Sequence, residues 1–159
     1  MRRASFEEMN CSVAQTLEVV GDWWSLLIVR DAFFGISRFE DFQGRLGIAR
    51  NTLTDRLEWL CRHEILERVP YQQHPVRYDY VLTSKGRDLE TLLLAMLAWG
   101  DRWTATAGSP PVVATDGGRD PVELRIVNSR TGRRVPRSRV RMLAGSGARD
   151  ANMVPRTDA

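Results

Sequence analysis

The stretch Arg38–Tyr80, RFEDFQGRLGIARNTLTDRLEWLCRHEILERVPYQQHPVRYDY, reads as two short helices joined by a tight turn, then two strands around a polar loop. Within it, Leu53, Leu57, Leu60 and Cys61 recur at three- and four-residue steps and form one apolar stripe on a helix. Arg50, Asn51, Thr52, Thr54, Asp55 and Arg56 fall on the other side. The same spacing predicts a preceding helix, Arg38 to Leu46, that buries Phe39, Phe42 and Leu46. Gly44 and Gly47 lie at or just past its end, where a glycine supplies the left-handed backbone of a sharp turn. Ile48 then fills the angle between the two helices.

A wing follows. Ile65–Tyr71 and Val76–Leu82 are rich in β-branched and aromatic residues with partial alternation, and Gln72-Gln73-His74-Pro75 joins them as a polar turn. The expected fold is mainly α with a small antiparallel β wing, an α+β winged helix-turn-helix. Such a fold turns a polar helix face outward to a DNA groove, with the wing loop at His74 and Arg77 against the phosphates. The plainer alternatives are a helical hairpin with a solvated face and a surface hairpin that only covers the core.

Working outward, Ser12–Val20 predicts a short helix with Val13, Leu17 and Val20 on one face. Asp22 is a candidate N-cap for a central buried helix, Trp23–Phe34, apolar almost all round. After the wing, Leu82-Thr83-Ser84 leads into one long helix from Lys85 to about Thr104. Its wide stripe predicts a two-fold homodimer through the terminal helices, with Val13, Leu17, Leu89, Leu92, Leu93, Met96, Trp99 and Trp103 at the interface; the plainer alternative is that the helix folds back over its own core.

The chain has 159 residues, 43% hydrophobic and 27% charged, which suits one core domain of residues 1–106 and an appendage. Gly108–Pro111 and Asp116–Gly118 are breakers, so residues 107–121 are expected to be a linker. Val122–Val127 alternates as a strand does, Ser129–Gly132 suits a hairpin turn, and Arg139–Leu143 is a candidate third strand. Residues 122–144 are therefore expected to form a small C-terminal β appendage, followed by a disordered tail at 145–159. The formal charge of +3 excludes an indiscriminate polycation. Arginine supplies nearly all the positive charge, and six of these residues crowd positions 130–141. That cluster either adds phosphate affinity or packs against the domain.

Enzyme chemistry is not expected. His63 and His74 are not at ligand spacing from a cysteine, no CxxC pair exists, and neither a phosphate-binding loop nor a GxSxG elbow is present. No cofactor and no metal are expected. No segment reaches the apolar length of a membrane span, and Met1–Cys11 lacks a signal-peptide core, so a cytoplasmic location without membrane contact is expected. Two cysteines, Cys11 and Cys61, suit a reducing compartment.

Several features together resemble the HxlR-type family of bacterial winged-helix regulators. They are Cys11, Val20-Gly21-Asp22-Trp23-Trp24, Leu26–Arg30, Gly35 with Arg38-Phe39, Leu53-Thr54-Asp55-Arg56-Leu57, Pro75–Tyr80, Leu82-Thr83 with Gly86, and Trp99. The resemblance implies a homodimeric regulator of transcription, repressor or activator, bound to double-stranded DNA. It implies groove contacts from Ala49, Arg50, Asn51, Thr52, Asp55 and Arg56 and wing contacts around His74 and Arg77; Arg38 is a further expected contact to the DNA backbone. It also makes Cys11 a candidate redox sensor, since a thiol at a helix start faces the positive end of the helix dipole, the alternative being a structural or neutral residue. Trp23, Trp24, Phe33, Met96 and Trp99 are candidates for a small-molecule effector pocket, or are plain core. Two positions depart from the family's pattern: Ala49 stands where a capping Ser is common, and Trp23 where Lys is common. The alternative function is a winged helix used for protein–protein assembly, which would not need arginines on the outward face.

Overall fold

The computed structural model describes residues 5–104 and 109–149. In chain order it contains α1 (Ser12–Val20), α2 (Trp23–Phe33), α3 (Phe39–Leu46), α4 (Arg50–Arg62), β1 (Leu66–Gln73), β2 (Val76–Leu82), α5 (Ser84–Arg87) and α6 (Glu90–Trp103). A 3-10 turn at Arg137–Arg139 follows. The chain divides into two compact units, Met1–Met96 and Leu97–Ala159.

The first unit is a winged helix-turn-helix, and its helix ends follow from local chemistry. Asp22 caps α2, its Oδ1 accepting the N–H groups of Trp24 and Ser25 at 3.0 and 3.2 Å. Gly47 ends α3 in the left-handed region, φ 62°, and its N–H donates to the Gln43 carbonyl. That glycine makes the turn into α4 at no steric cost. At the far end of α4, Ile65 N–H donates to Leu60 C=O and Glu64 N–H to Cys61 C=O. These two bonds form a Schellman motif with a glutamate, φ 58°, in the place usually taken by glycine.

The core joins all of these pieces. Val20 of α1, Ile28 and Val29 of α2, Phe42 of α3, Ile48, Leu53, Leu57 and Leu60 of α4, and Ile65, Leu66 and Leu82 of the wing base are buried together. The expected stripe on α4 therefore faces inward, and Ile48 fills the helix-turn-helix angle. The wing is an antiparallel ladder running from Leu66↔Leu82 to Gln73↔Val76. Its register shifts by one residue at Tyr71, next to Pro70, which has no N–H to offer the ladder.

Two expectations differ from the structure. The long helix from Lys85 is broken into α5 and α6 at Asp88-Leu89. Thr83 caps α5 through a bond from Gly86 N–H, and its own hydroxyl donates to the Glu64 carbonyl at 2.6 Å. Gly86 lies against the Ile65 carbonyl, where no side chain would fit. These contacts hold the first turn to the wing base, and the chain re-enters a helix at Glu90.

In the second unit, Val122–Val127 and Arg139–Leu143 are not strands. The segment contains single bridges, Thr115↔Pro121 and Val127↔Arg134, and the 3-10 turn occupies the start of the expected third strand. An alternating sequence becomes a strand only along a paired edge, and no ladder runs beside it among the described residues. The turn itself is where the sequence predicts it. Asn128 Oδ1 accepts from the N–H groups of Arg130 and Thr131, and Gly132 takes φ 66°. Of the expected linker, residues 107–108 lie outside the described residues. So do residues 150–159 of the expected tail.

Candidate nucleic-acid interface

The outward half of α4 is polar because its inward half is committed to the core. Ala49, Arg50, Asn51 and Asp55 are exposed, and Thr52 is half-buried. Ala49 occupies the N-cap with extended backbone and no side-chain bond, so the first N–H groups of α4 lack a side-chain acceptor from the cap. Arg50 lies over the Phe39 ring, with Cζ 4.8 Å from the centroid. This cation–π contact restrains the guanidinium at the head of the helix by about 0.5–1 kcal/mol.

Arg56 has a different environment. It is half-buried, its Nε is 3.9 Å from Asp22 Oδ1, and that nitrogen has no hydrogen-bond partner. The residue thus sets a positive charge beside the carboxylate that caps α2. Trp59 at the next turn donates from its indole to the Val19 carbonyl at 2.9 Å, fastening α4 to the end of α1.

The start of α3 is tied to the wing. Tyr80 N–H donates to the Ser37 carbonyl at 2.7 Å, and Ser37 Oγ donates to Asp79 Oδ1 at 2.7 Å. Arg38 pairs with the same carboxylate at 3.8 Å and lies over the Tyr71 ring at 4.6 Å. Arg38 thereby stays exposed at the N-cap of α3 but is held by two partners. At the wing tip, Gln72 Nε2 donates to the His74 and Pro75 carbonyls. His74 and Arg77 are both exposed there.

One buried ion cluster escaped the sequence reading. Asp31 of α2 is fully buried; its Oδ1 accepts from Arg30 Nε and Nη2 at 3.0 and 2.8 Å. Its Oδ2 accepts from Arg45 of α3 at 3.3 Å. An Arg30-Asp31 pair near the end of a largely apolar helix was the available signal, because a buried charge must find a partner.

The remaining candidates are spread over the chain. Cys11 is the N-cap of α1, and its side chain makes no capping bond. Cys61 is half-buried on the inner side of α4; burial pushes its thiol up, while nearby Arg68 pulls it down. Trp24 and Phe33 pack against the core, whereas Trp23 is 75% exposed, Met96 47% and Trp99 62%. Leu89 and Leu93 also pack against the core of their own chain. Val13, Leu17, Leu92, Met96, Trp99 and Trp103 leave large apolar surface exposed on α1 and α6.

Against known proteins, the model of the HxlR-like helix-turn-helix family matches residues 19–107. The uncharacterized HTH-type transcriptional regulator Rv3095 of Mycobacterium tuberculosis is 44% identical over 101 residues, 64% of this chain and 64% of that protein. The chain thus spans less than two thirds of that relative's length. Among solved structures, PA1607, a candidate transcription factor, superposes with a TM-score of 0.76 at 37% identity. That match covers 92% of this chain and 100% of PA1607. The redox regulator HypR in its reduced form gives a TM-score of 0.54 at 33% identity, over 58% of this chain and 92% of HypR.

Proposed function

The chain belongs to the HxlR-like helix-turn-helix family, and from that membership we propose that it is a transcriptional regulator that binds specific double-stranded DNA. The observation that carries this reading is the outward face of α4. Arg50, Asn51, Thr52 and Asp55 stand on a helix whose other side is locked into the core, so the polar tips are rigidly presented. Arg38, His74 and Arg77 flank that helix as phosphate contacts. An assembly-only winged helix would gain nothing from an arginine stacked in place at the head of α4.

The regulator acts as a homodimer paired through α1 and α6, whose exposed Val13, Leu17, Leu92, Met96, Trp99 and Trp103 supply the apolar surface. Two-fold pairing presents two α4 helices to half-sites about 34 Å apart. We infer a cytoplasmic location from the proposed DNA partner. Control by oxidation is favoured by the likeness to HypR together with the position of Cys11 at the head of α1. If so, diamide treatment shifts operator affinity in the wild type and not in Cys11→Ser; identical responses dispose of this control.

The test of DNA reading separates two kinds of contact by fluorescence anisotropy on a bound genomic fragment and on a random duplex. Asn51→Ala should weaken the genomic fragment selectively, by about 1–3 kcal/mol. Arg77→Ala should weaken both duplexes alike and lower the salt slope by roughly 0.9. Equal affinity of wild type and Asn51→Ala for every fragment would remove the base-reading role.

A further inference from the structure

The net positive charge of this protein lies outside the winged domain. Residues 19–107, the family-matched span, carry eleven Lys and Arg against twelve Asp and Glu, so that part is near neutral. Residues 109–149 carry nine arginines against Asp116, Asp120 and Glu123, a net charge of +6. We propose that the arginines at 130–139 form a second DNA-contact surface that grips the phosphate backbone without reading bases. This rests on the DNA-binding reading above and extends it to a segment outside the family motif.

The local structure supports the proposal. The Asn128–Gly132 turn is held by bonds from the Arg130 and Thr131 N–H groups to Asn128 Oδ1 and from Gly132 N–H to the Asn128 carbonyl. It presents Arg130, with Arg133 and Arg134 just beyond it. The 3-10 turn then presents Arg137 and Arg139. All five are exposed, and among the described residues none has a carboxylate within ion-pairing distance. Arg125 differs, being paired to Glu123 at 2.9 Å.

Such unpaired guanidinium groups, crowded within ten residues, repel one another unless a polyanion lies against them. Each planar fork can take a phosphate through two bonds. No residue between 109 and 149 is buried, so the arginines are not serving a core. The match to PA1607 over 92% of the chain extends well past residue 107, whereas the match to HypR over 58% is only about as long as the winged domain. The basic segment is thus an addition to the motif, and added phosphate affinity is the chemistry that a near-neutral reading head lacks.

The test uses the full chain, with R133Q/R134Q/R137Q/R139Q compared with wild type on a genomic fragment and a random duplex across a salt series. The expected result is a salt slope lower by roughly 0.9 for each lost contact, about 2–4 in all, with both duplexes weakened alike. The replacement R133K/R134K/R137K/R139K should retain most of the slope. A folded glutamine variant with the wild-type slope overturns the proposal. So does an unchanged slope accompanied by loss of oligomeric mass, which would assign the arginines to an acidic protein surface. Should the fourfold variant fail to melt cooperatively, R133Q/R134Q and R137Q/R139Q each decide the matter on the same slope. A wild type that binds no duplex at all sinks the DNA-binding reading itself, whereas equal steep slopes sink only this extension.

Discussion

Arg45 of α3 donates to the fully buried carboxylate of Asp31 on α2 at 3.3 Å, so the first helix of the helix-turn-helix is fastened to the centre of the domain by one ion pair. Losing a partner of an enclosed pair costs about 3–5 kcal/mol. Here Arg30 and Arg45 are half-exposed and can turn to water, which lowers the penalty. Asp31→Asn should therefore destabilise by about 1–3 kcal/mol in urea unfolding, chiefly through unsatisfied buried polar atoms. A loss under 0.3 kcal/mol would show that the pair only decorates the fold (about the limit of additivity at independent sites).

Both ends of α4 carry residues that local chemistry disfavours. Ala49 leaves the N-cap without a side-chain acceptor, and Glu64 holds a left-handed conformation at the Schellman turn. Ala49→Ser should raise stability by about 1 kcal/mol. Glu64→Gly should raise it by about 0.5–1 kcal/mol, because glycine removes the steric cost of positive φ but adds freedom to the unfolded chain. Thermal melting of the two variants and of their double, at ends of a helix about 20 Å apart, should give nearly additive gains.

The two arginines that flank the polar face of α4 should respond differently. Arg50 is stacked on Phe39 at the head of the helix, whereas Arg56 has its Nε held inside near Asp22. Arg50→Ala should cost about 1–3 kcal/mol of affinity for a specific fragment and little stability. Arg56→Ala should lower the melting temperature as well, since it loosens the support of the α2 cap. A variant pair with identical melting curves would contradict this division.

Alkaline pH should destabilise the domain. Burial raises the Cys61 thiol above its ordinary 9.0 and the Tyr80 phenol above its ordinary 10.0. Each group then keeps its proton longer in the folded state than in the unfolded chain. The folded state binds more protons, so stability present below about pH 9 falls as pH rises through the unfolded values. Urea midpoints from pH 7 to 11 should decline, and Cys61→Ala with Tyr80→Phe should flatten the decline. A rise over that range would reverse the assigned cause.

Much of this architecture was legible in the sequence because it is local. The α4 stripe, the Asp22 cap, the Gly47 turn and the wing each follow from a few neighbouring residues. The break between α5 and α6 was hidden for the opposite reason. The apolar spacing starts only at Leu89 and carries no mark of the turn before it, while the cause of the break lies in the contact of Gly86 and Thr83 with residues 64–65. Asp31 was hidden in the same way, its partner Arg45 being on another helix. The alternation at Val122–Val127 misled because strand geometry requires a neighbour that a short pattern cannot supply. On α4, the sequence groups Arg50 and Arg56 on one polar face; only the packing separates an exposed, stacked arginine from a half-buried one.

Genome-wide recovery of fragments bound by the purified protein shows whether the head of α4 chooses the DNA sequence. Wild type should recover fragments sharing an inverted repeat, with half-site centres about 34 Å apart. The variant R50A/N51A/T52A should keep weak, salt-sensitive binding but lose that shared sequence. Recovery of the same fragments, in the same order of abundance, by the wild type and the triple variant would contradict it.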